Sequence, residues 1–123
     1  MKRRIINLLF VVLLGISSCY YDNEEELYPA GICLTNNMSL QNNILPILER
    51  NCYVCHSISS ASNTSNVTLE GYTELMKYVS SGKLMGAIRR EDGYPAMPQN
   101  ASKLKDCDIA KIEQWIADGA LNN

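Results

Sequence analysis

The chain has 123 residues with 11 basic and 13 acidic side chains, which gives a formal net charge of −2. This length suits one domain, and the near balance of charge gives no electrostatic footprint for nucleic acid. The sequence contains five cysteines but one histidine, so it has no second histidine to serve as a zinc ligand or as a catalytic base.

Residues 1–18 have the pattern of a secretory signal. A basic stretch, Lys2-Arg3-Arg4, precedes an apolar run from Ile5 to Ile16 that only Asn7 interrupts. The run is shorter than the roughly 20 residues that a membrane-spanning helix needs, so it predicts a targeting segment and not a membrane helix. It ends in Leu14-Gly15-Ile16-Ser17-Ser18-Cys19, where small residues before a cysteine resemble the lipobox of bacterial lipoproteins.

Cys19 is the residue that a lipobox pattern marks for acylation, as the first residue of the mature chain. The alternative is ordinary cleavage that leaves Cys19 as a free thiol. We favour acylation because an unpaired cysteine is unusual in a secreted protein. Several acyl chains form a stable anchor, whereas a single chain is marginal. We therefore expect a lipid-anchored protein of the cell envelope, in the periplasm or facing the outer membrane.

Residues 19–38 form the predicted connection between the anchor and the domain. Cleavage removes three of the 11 basic residues, so that 8 basic and 13 acidic side chains remain and the formal charge becomes −5. Four of the acidic residues lie close together: Asp22, Glu24, Glu25 and Glu26. With Pro29 and Gly31 after it, this run is typical of a solvated tether, and a sorting or docking signal is the alternative.

Residues 39–50 are predicted to form the first helix of the domain. Apolar residues recur at helical spacing: Ile44, Ile47 and Leu48. Pro46 is best placed in the first turn of a helix, so regular helix should begin near Asn43 or Ile44. The helix leads directly into the sequence Cys52-Tyr53-Val54-Cys55-His56.

This CxxCH pentapeptide is the attachment signature of a c-type haem. Residues three and four apart share one face of a helical turn, so Cys52 and Cys55 can both form thioethers at one edge of a porphyrin. His56 can then direct a ring nitrogen at the iron as the proximal ligand. The alternatives are a structural zinc site, which needs a second ligand pair at short spacing, and a dithiol redox site, which sits near a βαβ pattern. We find neither feature in the sequence.

The chain after the motif is predicted to alternate between loops and short helices. Residues 57–66 are rich in serine and asparagine without a period, which indicates a loop. Two short helices are expected at residues 71–79 and 83–90. The prolines within residues 92–98 forbid a helix there and hold the backbone extended.

The last helix is predicted to begin near Asp106, whose carboxylate suits a helix N-terminus, and to end before Gly119. Its expected buried residues are Ile109, Ile112 and Ile116. Trp115 is expected to pack in the core or against the edge of a haem.

Cys33 and Cys107 are left over once one cysteine is assigned to lipid and two to haem. An exported protein meets an oxidising compartment, so these two form a candidate disulfide. Closure of a loop of about 75 residues would stabilise the fold by roughly 4.5 kcal/mol in the chain-entropy model. The alternative is two separate reduced thiols.

The order of helix, CxxCH, polar loop, two short helices, Met-Pro loop and C-terminal helix resembles the class I monohaem cytochrome c domain, including that of bacterial lipoprotein cytochromes. The match covers residues 39–120 and rests on the CxxCH motif, on Met97-Pro98 and on the stretch from Lys103 to Ala120. The resemblance implies an all-α, cytochrome c-like fold at residues 39–123. Such a fold has about four short helices and long loops around one covalently attached haem c.

The resemblance also implies which residues bind the haem. Cys52 and Cys55 carry the thioethers, His56 is the proximal ligand of the iron and Met97 is the distal ligand. The rival methionines are Met38, Met76 and Met85. The sequence departs from the family in two respects. No proline follows the histidine to orient its ring, and the first helix lacks the glycine that often allows close crossing with the last helix.

With His56 and Met97 both bound, the iron has no open position for a substrate, so the resemblance implies an electron carrier and not an enzyme. Its partners are then redox proteins and, through Cys19, a lipid membrane. One alternative is a small peroxidase-like haem enzyme or gas sensor, although no spare histidine exists for acid–base chemistry. Another is a haem module that serves one larger oxidoreductase.

Overall fold

Residues 32–123 are described by the computed structural model of the protein. The predicted signal sequence, the acylation site at Cys19 and most of the tether lie outside the described residues. Between residues 32 and 123, no helix is long and apolar enough to cross a membrane.

Short helices joined by loops make up the described part of the chain, and no strand occurs in residues 32–123. In chain order they are a π-helical turn at Leu40–Ile44, α1 at Leu45–Asn51, α2 at Tyr53–His56, α3 at Ala61–Thr64, α4 at Tyr72–Ser80, α5 at Lys83–Arg89 and α6 at Asp106–Ala117. The described residues are therefore helical, as the sequence predicts.

The first helix begins with a π-helical turn and not with regular α-helix. The Ser39 hydroxyl accepts a hydrogen bond from the Asn42 N–H at 3.3 Å, which caps the turn. Regular helix follows from Leu45, so Pro46, which has no N–H to donate, lies in its first turn as predicted.

The predicted loop at residues 57–66 contains one helical turn, α3, so that prediction was wrong in part. Ala61 is buried at the start of this turn. Asn66 follows it with φ 54°, and its N–H donates to the Ala61 carbonyl at 2.7 Å. The Ser57 hydroxyl also holds the segment, because it shares a hydrogen bond with the Ser60 hydroxyl and accepts one from the Ser60 backbone N–H. Hydrophobic periodicity does not reveal such bonds, which is why the turn was missed.

The C-terminal helix α6 supplies the centre of the hydrophobic core. Its buried residues are Ile109, Ile112 and Trp115. Ile116 is only partly buried, so the expected stripe is corrected at this end. Trp115 can be buried completely because its ring N–H donates to the Leu121 carbonyl at 2.9 Å. The glycine-free first helix meets α6 through its π-helical turn.

Two sets of bonds tie the first and last helices together. A disulfide joins Cys33 to Cys107, with Cα atoms 5.5 Å apart, and so fixes the segment before the first helix to the start of α6. After α6, the Asn123 carbonyl accepts from the Gln41 N–H at 2.9 Å and from the Ser39 hydroxyl at 2.8 Å. The start of α6 and the segment that follows it are thus both bonded to the region of the first helix.

Candidate functional site

A largely apolar cavity of about 390 Å³ is bordered by α1, α2, α4, α5 and the loop after α5. This volume is within the range of small-molecule and cofactor sites. Its apolar walls include Leu69, Leu84, Ile88 and Leu104. Three of the four predicted haem-site residues, Cys52, His56 and Met97, also border it. The fourth, Cys55, is not part of the wall.

The two motif cysteines differ in their surroundings. The backbone N–H of His56 donates to the Cys52 carbonyl at 2.9 Å, so the motif follows a helical turn and these two residues share a face. Cys52 is half-buried, and burial raises the pKa of its thiol to about 11. Cys55 is exposed. The motif therefore presents one cysteine at the cavity and the other at the surface.

The imidazole ring of His56 is held by a backbone carbonyl. Its Nδ1 lies 2.9 Å from the Val67 carbonyl oxygen. A carbonyl oxygen only accepts hydrogen bonds, so in the neutral ring Nδ1 carries the proton and Nε2 keeps the lone pair that a metal ligand needs. Val67 therefore orients the ring, a task for which the sequence offers no proline after the histidine.

The segment from Ser65 to Leu69 makes two further contacts with His56. The Ser65 hydroxyl oxygen lies 3.0 Å from Nδ1. The Leu69 N–H donates to the His56 carbonyl at 2.8 Å. The contacts of this segment were not predicted, and their only signal in the sequence was Asn66, a residue type that often adopts left-handed backbone at a turn.

Met97 is positioned by the backbone of the loop after α5. Its N–H donates to the Ala87 carbonyl at 3.1 Å, which ties it to α5. The Arg90 guanidinium donates to the Ala101 carbonyl at 2.6 Å and so joins the start of the loop to its later part. Met97 is half-buried in this arrangement.

The three rival methionines lie elsewhere. Met38 is buried in the core, and Met76 and Met85 are partly buried and pack against it. None of them borders the cavity. Of the methionines from residue 32 onward, Met97 is therefore the one placed to contact a ligand there.

Tyr94 forms part of the cavity wall beside α5. Its ring lies over Gly86, where an added Cβ atom would be 2.5 Å from the ring carbons. Glycine is therefore needed for this contact. Neither residue was predicted to be part of the site, although a glycine inside a helical pattern is a signal of close packing.

Charge is sparse around the cavity. Among the described residues that line it, Lys83 is the only lysine, arginine, aspartate or glutamate. Within residues 32–123, no three cysteine, histidine, aspartate or glutamate side chains are grouped so that they could hold a metal ion.

No protein-family model matches this chain, and no curated protein or solved structure matches it either.

Proposed function

We propose that this chain is a membrane-anchored electron carrier that holds one haem c in a cytochrome c-like fold. Cys52 and Cys55 form the thioethers, and His56 and Met97 are the axial ligands of the iron. The observation that carries the proposal is that Cys52, His56 and Met97 border one apolar cavity. When bound, haem supplies an iron that exchanges one electron.

The residues at the cavity fit this group chemically. His56 offers an unprotonated Nε2 because its Nδ1–H is bound to the Val67 carbonyl. Met97 offers a thioether, a soft ligand that raises the reduction potential. A porphyrin brings four nitrogen donors of its own, so two protein ligands are enough to complete the coordination of the iron.

The apolar walls support the carrier role. The four wall residues Leu69, Leu84, Ile88 and Leu104 are each at most 6% exposed. Such walls exclude water, so the positive charge that a haem iron gains when it is oxidised would be unfavourable there. They therefore act in the same direction as the thioether and favour the reduced state.

Two observations disfavour other uses of the CxxC pair. Cys33 and Cys107 are bonded to each other, so they do not complete a zinc site with the motif cysteines. Burial raises the pKa of the Cys52 thiol to about 11, whereas dithiol oxidoreductases lower the pKa of the attacking cysteine. Haem attachment, which converts both thiols to thioethers, agrees better with these surroundings.

The position of Met97 favours the carrier over a small haem enzyme or gas sensor. A thioether bound to the iron fills the coordination position that a substrate or gas would occupy. A carrier and a haem module dedicated to one larger oxidoreductase share this ligation, and both pass electrons to redox proteins.

Acylation of Cys19 gives the proposed location, a membrane of the cell envelope in the periplasm or facing the outer membrane. Incorporation of labelled fatty acid in a bacterial host tests it, and Cys19→Ala should abolish both the label and the membrane association. Equal label in the wild type and the variant would contradict this location.

Retention of haem by the denatured chain tests whether the haem is covalently attached. Produced with a cytochrome c maturation system, the wild type should keep haem through denaturing electrophoresis, and the C52A/C55A variant should lose it. The matched control is C33S/C107S, which removes two cysteines away from the cavity and should keep the haem. An exported, folded wild type without covalent haem would contradict the proposal.

A further inference from the structure

We propose that Ser65 is a positioning residue for His56, and that its hydroxyl controls how strongly the imidazole donates electrons to the iron. This inference rests on the proposed function and names the side chain that adjusts the reduction potential of that site.

The Ser65 hydroxyl is the centre of a small hydrogen-bond network. Its oxygen lies 3.0 Å from His56 Nδ1, and it lies 3.0 Å and 3.1 Å from the carbonyl oxygens of Cys55 and Val67. The Val67 N–H donates to it at 3.2 Å. The hydroxyl has one proton, which it donates to one of the two carbonyls. Its lone pairs accept from the Val67 N–H and share the Nδ1–H with the Val67 carbonyl.

The backbone next to Ser65 brings these groups to the ring. Asn66 has φ 54°, in the left-handed region that asparagine tolerates better than most residues. Its N–H is held by the Ala61 carbonyl at the start of α3. The turn at Asn66 lets the hydroxyl of Ser65 and the carbonyl of Val67 reach the same nitrogen of His56.

The network acts on the iron through the ring. A hydrogen bond from Nδ1–H makes Nε2 a stronger donor, which stabilises ferric iron and lowers the reduction potential. Ser65→Ala removes one acceptor of that proton, while the Thr64 hydroxyl still donates to the Cys55 carbonyl at 2.6 Å and keeps the segment tied to α2. The variant should therefore have a higher reduction potential and a less protected Nδ1 proton.

The experiment compares Ser65→Ala with two controls in the haem-loaded protein. Ser65→Thr keeps a hydroxyl at the position. Ser60→Ala removes a half-buried hydroxyl from residues 57–66, the stretch that also contains Ser65. This hydroxyl contacts Tyr53 and Ser57 but not His56. The readouts are the reduction potential and the exchange rate of the His56 Nδ1 proton, measured by NMR in the reduced protein. We expect Ser65→Ala, and neither of these two controls, to raise the potential and to speed exchange about fivefold, as for loss of one hydrogen bond.

A second pair of variants reaches the same hydroxyl through the backbone. Asn66→Val strains the left-handed turn, whereas Asn66→Gly keeps it. Asn66→Val should shift both readouts as Ser65→Ala does, and Asn66→Gly should not. Equal values in the wild type, Ser65→Ala and Asn66→Val would overturn the proposal.

Failure of haem attachment is a separate outcome. A wild type without covalent haem would contradict the proposed function but not the role of Ser65. The ring ¹⁵N shifts of that haem-free protein would still report the tautomer of His56. The Val67 carbonyl still accepts from Nδ1–H in Ser65→Ala, so the variant should keep this tautomer with a larger share of the Nε2–H form; an unchanged share would overturn the positioning role.

Discussion

Gly86→Ala tests the contact between Tyr94 and α5. In a helix interior, alanine is favoured over glycine by about 1 kcal/mol. At this position, however, the new Cβ atom would lie 2.5 Å from the ring carbons of Tyr94, so the ring must move. Insertion of a methyl group into a packed site costs about 1–3 kcal/mol. The substitution should therefore lower the free energy of unfolding by about 0–2 kcal/mol, as the difference between these effects.

A double-mutant cycle with Tyr94→Ala separates the intrinsic helix preference from the steric cost. When the ring is absent, Gly86→Ala should stabilise the fold by about 1 kcal/mol. Denaturant unfolding of the four proteins gives the coupling energy between the two positions. The same stabilisation by Gly86→Ala with and without the tyrosine ring would refute the reasoning.

Three further predictions concern the cysteines. The C33S/C107S variant should lose up to about 4.5 kcal/mol of unfolding free energy, since the bridge closes a loop of about 75 residues, and denaturant unfolding should show it. Equal unfolding midpoints for the variant and the wild type would contradict the stabilising role of the bridge. In the haem-free chain, alkylation followed by mass spectrometry should modify the exposed Cys55 before Cys52 and accelerate at Cys52 as the pH approaches its thiol pKa of about 11. Equal alkylation rates at the two cysteines would show that Cys52 is not shielded. The same raised pKa should lower the stability of the haem-free fold above pH 9.0, the ordinary pKa of a thiol, because Cys52 ionises more readily in the unfolded chain.

The helices were predictable because their ends have local signals. Pro46 marks the first turn of α1, and Asp106 and Gly119 bracket α6 where the structure has it. The pairing of Cys33 with Cys107 was a candidate from counting alone, because two cysteines remained after the other three were assigned. In each case the residue type itself indicates the structural feature in which that residue takes part.

The groups that orient the site residues gave no such signal. The Val67 carbonyl is part of the backbone, so no residue type marks its contact with His56. Ser65 was one serine among many in a segment that was predicted to be a loop. Trp115 is buried in the core, one of its two expected places, but its hydrogen bond to the Leu121 carbonyl, which lies beyond the helix, had no such signal. Tertiary contacts decide all of these features, and the haem itself stays a prediction.

The most direct test of the proposed ligation is the spectrum of the haem-loaded protein with and without Met97. A thioether on ferric haem gives a weak far-red absorption band, and it must leave before carbon monoxide can reach ferrous iron. We expect the band and little carbon monoxide binding at neutral pH in the wild type and in the control variants Met76→Ala and Met85→Ala. Met97→Ala should lose the band, bind carbon monoxide rapidly and have a lower reduction potential. A wild type that lacks the band and binds carbon monoxide rapidly would contradict the carrier and favour a haem enzyme or gas sensor.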